Sequence, residues 1–265
     1  MSKEKAALFI DNSNIFIGMQ LFTKYLIKQA KLKENQYLRI HWQGLIRFLE
    51  SQNGGIDIYA RHFFASLPPA ADINALRERP TEEEWEKLVQ KSKQSGFYKA
   101  IQNPPLNFTL HGVPLRIKEV YCNKRIRQAY YKCLDAQNGT IRCNLSLNPD
   151  ECYDCRHKFL FKYEKGVDVA LAVQLIMFGA LKEGHLDRII LVAGDGDYKE
   201  AARYIRREVG RDLQIVSWRR PLSSELEKIG NRSPIILDDH WEKLCEIRSK
   251  APLEEGPAID DEESE

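Results

Sequence analysis

The stretch "ILVAGDGDYKEAARYI", from Ile190 to Ile205, decides how the chain is read. An apolar, strand-forming run stops at Gly194-Asp195-Gly196-Asp197, and a helical pattern follows at once. Near the N-terminus "AALFID" (6–11) has the same form. It is a short buried run ending in Asp11, with Asn12 and Asn14 close behind. In open parallel sheets, ligands bind outside the carboxyl ends of strands, where the strand order reverses. If these two strands are neighbours, their carboxylates share one rim.

Outward from the two strands, the pattern alternates. Residues 14–30 look helical, and "HWQGLIRFLE" puts Trp42, Leu45, Ile46 and Leu49 on one helical face. "IDIYARHFFA" (56–65) is β-branched and aromatic, as a strand is. Thr81, three residues before Glu84 and just after Pro80, has capping-box spacing ahead of the stripe Trp85, Leu88 and Val89. Strand-like segments follow around 106–121, then a cysteine-rich stretch, 122–157. Residues 165–184 are apolar nearly all round and predict a buried helix stopped by Gly184. Strand 188–193, helix 198–209, strand 213–218, helix 222–229, a short strand 234–237 and helix 240–248 complete the chain. This alternation predicts an α/β fold with a mostly parallel central sheet covered on both faces.

Composition narrows the class. A chain of 265 residues with 43% hydrophobic content can bury a sizeable core. No run of 18 apolar residues occurs, so no membrane-spanning helix is expected. The N-terminal apolar stretch is too short for a signal peptide, and a cytoplasmic protein is expected. Six cysteines then argue for free thiols or metal rather than disulfides. The net charge of +2 hides an asymmetry. Residues 254–265 hold seven acids and no base, which leaves 40 basic against 31 acidic side chains elsewhere, a net +9. A disordered acidic tail is expected on a basic body suited to a polyanion.

The acids carry the chemistry. Asp11, Asp195 and Asp197 end strands, and Asp168 lies in the first turn of the apolar helix, where the helix dipole favours a carboxylate. Two carboxylates about 5 Å apart repel by roughly 3 kcal/mol at an effective dielectric near 20. Four on one rim therefore call for a cation, and an all-oxygen donor set suits Mg²⁺ or Mn²⁺. Such an ion suits phosphodiester hydrolysis. Singly, each acid has a plainer reading, and Asp197 could simply cap the helix that starts at Tyr198. No Ser-His-Asp or Cys-His motif is evident, and the six histidines show no ligand pairing at helical spacing.

"ALFIDNSNIF", "KGVDVALAV", "AGDGDY" and "VSWRRPLSSELEKIGN", in that order, resemble the NYN domain, a branch of the PIN-like ribonuclease superfamily that includes the LabA-like bacterial proteins. The resemblance covers residues 6–65 and 160–245. It implies a three-layer α/β/α PIN-like fold and a Mg²⁺- or Mn²⁺-dependent ribonuclease acting on RNA, expected to be an endonuclease. Asp11 matches the first-strand aspartate, Asn14 the polar residue that positions it, Asp168 the helix aspartate, and Asp195 with Asp197 the Gly-Asp pair. Lys165 and Ser223 or Ser224 match polar positions beside the site. One rival is a haloacid-dehalogenase-like phosphatase, but Ser13 stands where that family needs a second aspartate. Another is a PIN-like module that binds RNA without cleaving it.

Residues 66–158 are longer than a minimal domain needs. "CYDC" is a C-x2-C knuckle, and Asn138-Gly139 is a hairpin signal between Cys133 and Cys143. Cys133, Cys143, Cys152 and Cys155 could hold structural Zn²⁺ as a zinc-ribbon-like insertion, with Cys122 or His157 as substitutes. "NKRIRQAYYKC" and "CRHKFLFKY" interleave bases with aromatics, which suits unpaired RNA. Lys124, Arg125, Arg127, Tyr130 and Lys165 are the candidate RNA contacts. Cys245 is expected in the core on a C-terminal helix. The basic strip "RYIRREVGR" (203–211) predicts an exposed helix face. The expected organisation is a first PIN-like part (1–120), the cysteine-rich insertion (121–160), a second PIN-like part (161–250) and the tail (251–265).

Overall fold

The computed structural model describes residues 3–52, 55–67, 80–93, 95–121, 158–163, 166–180 and 186–249. Its centre is a six-stranded sheet. The strands are β1 (Glu4–Asp11), β3 (Ile56–Leu67), β4 (Thr109–Pro114), β7 (Arg188–Val192), β8 (Asp212–Ser217) and β9 (Ile235–Ile236), in the order β4-β3-β1-β7-β8-β9. Every pairing in it is parallel. From β1 the chain winds outward through β3 to β4. It then returns to the other side of β1 at β7 and winds outward again. The order therefore reverses between β1 and β7, the two strands that end in the acidic motifs.

Alternation along β1 builds the layers, because successive side chains point to opposite faces. Ala6, Leu8 and Ile10 pack with α1 (Asn12–Lys28) through Ile15, Met19, Phe22 and Leu26, and with α2 (Trp42–Ser51) through Leu45, Ile46 and Leu49. Ala7 and Phe9 face the other way. They join Val167, Leu171 and Leu175 of α5 (Val167–Ala180), Ala201 and Ala202 of α6 (Lys199–Tyr204), and Leu226 and Ile229 of α7 (Ser224–Ile229). The result is the expected three-layer α/β/α arrangement. Asp11 continues the odd-numbered set, toward the α5 and α6 layer. Among the described residues no helix is long and apolar enough to cross a membrane.

Local signals hold where contacts are local. In α3 (Glu82–Lys93) the Thr81 N–H donates to Glu84 Oε2 at 2.8 Å and the Glu84 N–H to Thr81 Oγ1 at 3.3 Å, which is the capping box. Two expectations are corrected. The helix over 240–248 is only α8 (Trp241–Leu244). Cys245–Ser249 is a strand, β10, paired antiparallel with β2 (Gln36–Ile40), because an edge partner more than 200 residues upstream outweighs a weak helical pattern. Cys245 is thus on a strand, half-buried against the core, and burial pushes its thiol up to about 12. Nor is α5 buried all round. Val169, Val173 and Met177 are 61%, 47% and 56% exposed, since a helix lying on one face of a sheet buries only one stripe.

β5 (Arg116–Tyr121) and β6 (Lys158–Tyr163) form a separate antiparallel ribbon in which Tyr121 pairs with Lys158. The zinc candidates Cys133, Cys143, Cys152 and Cys155, and the RNA candidates Lys124, Arg125, Arg127, Tyr130 and Lys165, lie outside the described residues. So do Gly184 and the acidic tail.

A histidine pair crosses the sheet. His62 of β3 and His111 of β4 approach with Nδ1 and Nε2 3.0 Å apart, stacked on Phe9 and Phe64 with ring centroids 4.7 and 4.4 Å away. Helical spacing in the sequence could not reveal this pair, because adjacent parallel strands bring it together. Burial, reinforced by His111, pulls His62 down to about 4, and burial lowers His111 as well. A depressed folded-state pKa means that protons favour the unfolded chain. The stability from His62 is therefore complete above pH 6.5 and is lost as pH falls toward 4. Urea unfolding at pH 7.5 and 5.0 is expected to show a loss of about 1 kcal/mol, roughly half the full linkage value because the ring is partly exposed. His62→Gln should flatten that dependence; an equally steep loss in the variant would assign it to other groups.

Candidate active site

Asp11 occupies the switch point and is only 6% exposed. It ends β1 in extended backbone and caps α1, its Oδ1 accepting the Asn14 N–H at 3.0 Å. Its Oδ2 accepts the Tyr198 hydroxyl at 2.7 Å. Asn14 then ties the two halves of the rim together, since its Oδ1 accepts the Gly194 N–H at 2.8 Å. Asn14 thus meets Asp11 through its backbone N–H, while its side chain reaches the loop 180 residues away.

The loop after β7 is held from both sides. The Gly194 carbonyl accepts the Ser223 N–H at 2.7 Å. A Cβ on Gly194 would stand 2.5 Å from Ser217 Oγ and 2.7 Å from the Pro221 carbonyl oxygen, so only glycine fits. Asp195 caps the 3-10 turn Gly196–Tyr198, its Oδ1 accepting the Asp197 N–H at 3.0 Å. The capping residue is therefore Asp195 rather than Asp197, and α6, which starts at Lys199, has no side-chain cap. Asp197 is exposed. Ser223 sits beside the loop as expected; its Oγ caps α7 through the Leu226 N–H at 3.1 Å and Ser224 begins that helix.

Tyr198 is the site residue that sequence reasoning missed. It is 1% exposed, and its hydroxyl is pushed far above the usual tyrosine range. Burial is the main cause, followed by Asp11, then by the charges of Asp168 and Asp195. Of these acids only Asp11 is hydrogen-bonded to the hydroxyl; Asp168 and exposed Asp195 act on it through their charge alone. The signal for Tyr198 was its place directly after Gly-Asp-Gly-Asp, where a helical turn aims the side chain back under the rim. Tyr198→Phe removes a buried donor from Asp11 and is expected to cost about 1–2 kcal/mol by urea unfolding. No loss would mean that the hydroxyl contributes nothing to the rim.

Among the described residues, no ion pair reaches Asp168, Asp195 or Asp197, and no group of three acids, histidines or cysteines is disposed to cage a metal. The donor chemistry nonetheless fits a hard cation. Mg²⁺ keeps several of its waters and is commonly held by one or two carboxylates plus substrate phosphate. Buried Asp11, and Asp195 in the loop tied to it through Asn14, offer carboxylates of that kind.

The model of the NYN domain family matches residues 88–232, more than half of the chain. Asp168, Asp195 and Asp197 fall inside that range. Asp11 precedes it, and its place on the rim rests on the hydrogen bonds from Asn14 and Tyr198. None of the curated proteins matches the chain. Among solved structures, the chain is similar to a protein of unknown function from Vibrio parahaemolyticus. The two are 13% identical over 92% of this chain and 97% of that one, with a TM-score of 0.43.

Proposed function

The chain belongs to the NYN domain family, a branch of the PIN-like nuclease superfamily, and from that premise we propose that it is a metal-dependent ribonuclease of the LabA-like kind, cutting RNA internally. The observation that carries this reading is buried Asp11 at the strand-order switch, tied through Asn14 to the loop that bears Asp195. Binding RNA alone gains nothing from acids that face phosphates, whereas hydrolysis gains a cation site.

Asp11, Asp168 and Asp195 would hold Mg²⁺ or Mn²⁺, with Asp197 at the outer side of the rim. A divalent cation there supplies positive charge against the scissile phosphate and makes water a better nucleophile. The chain's own residues set the geometry. Asn14 fixes Asp11 Oδ1 and the start of the Gly-Asp loop, while Tyr198 fixes Asp11 Oδ2. The Ser223 N–H anchors the loop from the side of α7. The cysteine-rich segment is assigned, on its sequence, one structural Zn²⁺ held by Cys133, Cys143, Cys152 and Cys155, together with the RNA contacts Lys124, Arg125, Arg127, Tyr130 and Lys165.

The test is incubation of the full chain with labelled single-stranded and structured RNAs in Mg²⁺, in Mn²⁺ and in EDTA. Internal fragments with either metal and none in EDTA are expected. RNA that is bound tightly yet stays intact under every metal condition would make the protein an RNA-binding module instead.

A further inference from the structure

Leading away from the acidic rim is a groove of about 250 Å³, lined by Arg203, Arg206, Arg207, Glu225, Lys228 and Ile229. It runs between α7 and the helical segment that continues α6 as a π-helix, Ile205–Val209. Both helices start at the carboxyl rim and descend along the sheet, so the groove runs from Glu225, near the rim, to Arg206, Arg207 and Ile229 in the last turns of their helices. Glu225 marks the junction. It lines the groove, and its Oε2 lies 3.9 Å from where a Gly196 Cβ would stand, in the loop that carries Asp195 and Asp197.

The charges are unevenly matched. Arg203 is held by Glu200, with Nη1 at 2.6 Å from Oε1, and Glu225 is held by Lys199 at 3.0 Å. Arg206, Arg207 and Lys228 have no acidic partner among the described residues. Three unpaired cations on one groove repel each other, and a string of anions relieves that repulsion. The backbone is built to keep them there. A π turn is rare and recurs at functional sites, because it shifts the side chains that follow out of the α-helical register. Here buried Ile205 pins the turn, and Gly210, in the left-handed region at φ 74°, ends it. Arg206 Nη1 donates to the Ile229 carbonyl oxygen at 2.8 Å, which fixes that guanidinium across the groove. The strip is therefore more than the plain exposed helix face that the sequence predicts.

We infer that this groove is a phosphate track that holds the part of a single-stranded RNA leading away from the scissile position. The inference takes its ligand from the nuclease reading but does not depend on cleavage. A positively charged groove that follows the backbone is how single strands are held without sequence preference. The rim repels phosphates unless a cation covers it, so cations further along the strand help to hold the RNA across it.

The experiment is a fluorescence-anisotropy titration of a labelled single-stranded RNA in EDTA, over a series of salt concentrations, with the full chain. Arg206→Gln/Arg207→Gln/Lys228→Gln is expected to bind about tenfold more weakly near 100 mM salt. Its slope of log affinity against log salt should be shallower by about 2, as three lost phosphate contacts imply for a single strand. A second variant, Arg207→Glu/Lys228→Glu, keeps the Arg206 bond and should weaken binding at least as much. The control Lys24→Gln/Lys28→Gln/Lys31→Gln removes equal charge from the opposite layer and should change the slope little. Unchanged affinity in the groove variants, an equal loss in the control, or no RNA binding by the wild type would each overturn the track. Failure of the nuclease reading would instead appear as absent cleavage in Mg²⁺ and Mn²⁺, whatever the groove variants do.

Discussion

Asp11→Asn is expected to lower RNA cleavage by more than about 100-fold while leaving the fold intact. Losing only an outer partner of a metal site typically costs about 10–100-fold, and Asp11 is proposed to touch the ion itself. The stability side follows from its hydrogen bonds. Asn retains an Oδ1 that can accept the Asn14 N–H, and Asn caps helices as well as Asp does. Tyr198 can turn its hydroxyl to accept from the new amide. Relief of repulsion with Asp168 and Asp195 offsets part of any loss, so the change should stay within about 0.5 kcal/mol. The readouts are single-turnover cleavage in Mg²⁺ and urea unfolding in EDTA. A variant that cleaves at the wild-type rate would remove Asp11 from the metal site. One that unfolds much more easily would make Asp11 a structural residue first.

Much of this site was legible in the sequence because its determinants are short-range or follow strict rules. A strand that ends in Asp11 and one whose following loop carries Asp195, each leading into a helix, force parallel connections, and parallel winding in both directions creates one switch point. Even the face of Asp11 follows from parity with Ala7 and Phe9. What escaped depends on partners far along the chain. Tyr198 meets Asp11 across 187 residues, and His62 meets His111 across 49. β10 finds β2 only because the C-terminus returns to the α1 and α2 layer. Apolar content also overstates burial. The composition of α5 cannot say that Val169, Val173 and Met177 lie on the side turned away from the sheet.

Gly194→Ala is expected to destabilise the protein by about 3 kcal/mol, the largest loss from any single methyl group on the rim. Overpacking a well-filled site typically costs about 1–3 kcal/mol, and the sum here should lie at the upper end for two reasons. The new Cβ meets the Pro221 carbonyl oxygen at 2.7 Å as well as Ser217 Oγ at 2.5 Å, and a backbone atom cannot rotate away. Gly194 is also held on both sides, by Asn14 Oδ1 on its N–H and by the Ser223 N–H on its carbonyl, so any shift lengthens one of the two bonds. Two other glycines give the scale. At Gly196 the nearest atom to a new Cβ is Ser223 Oγ at 3.1 Å, the tip of a side chain, and Gly196→Ala should cost under about 1 kcal/mol. At Gly96, in the first turn of the helix Gly96–Gln102, nothing lies within 4 Å, and Gly96→Ala should be neutral or stabilise by up to about 1 kcal/mol. Urea unfolding of the three variants is expected to give the order Gly96→Ala, Gly196→Ala, Gly194→Ala from most to least stable. Because a displaced Gly194 carries Asp195 with it, the folded fraction of Gly194→Ala should also cleave RNA slowly. A Gly194→Ala protein as stable as the Gly96 variant would mean that the loop relaxes freely, and the clamp between Asn14 and Ser223 would no longer explain how the rim is held in place.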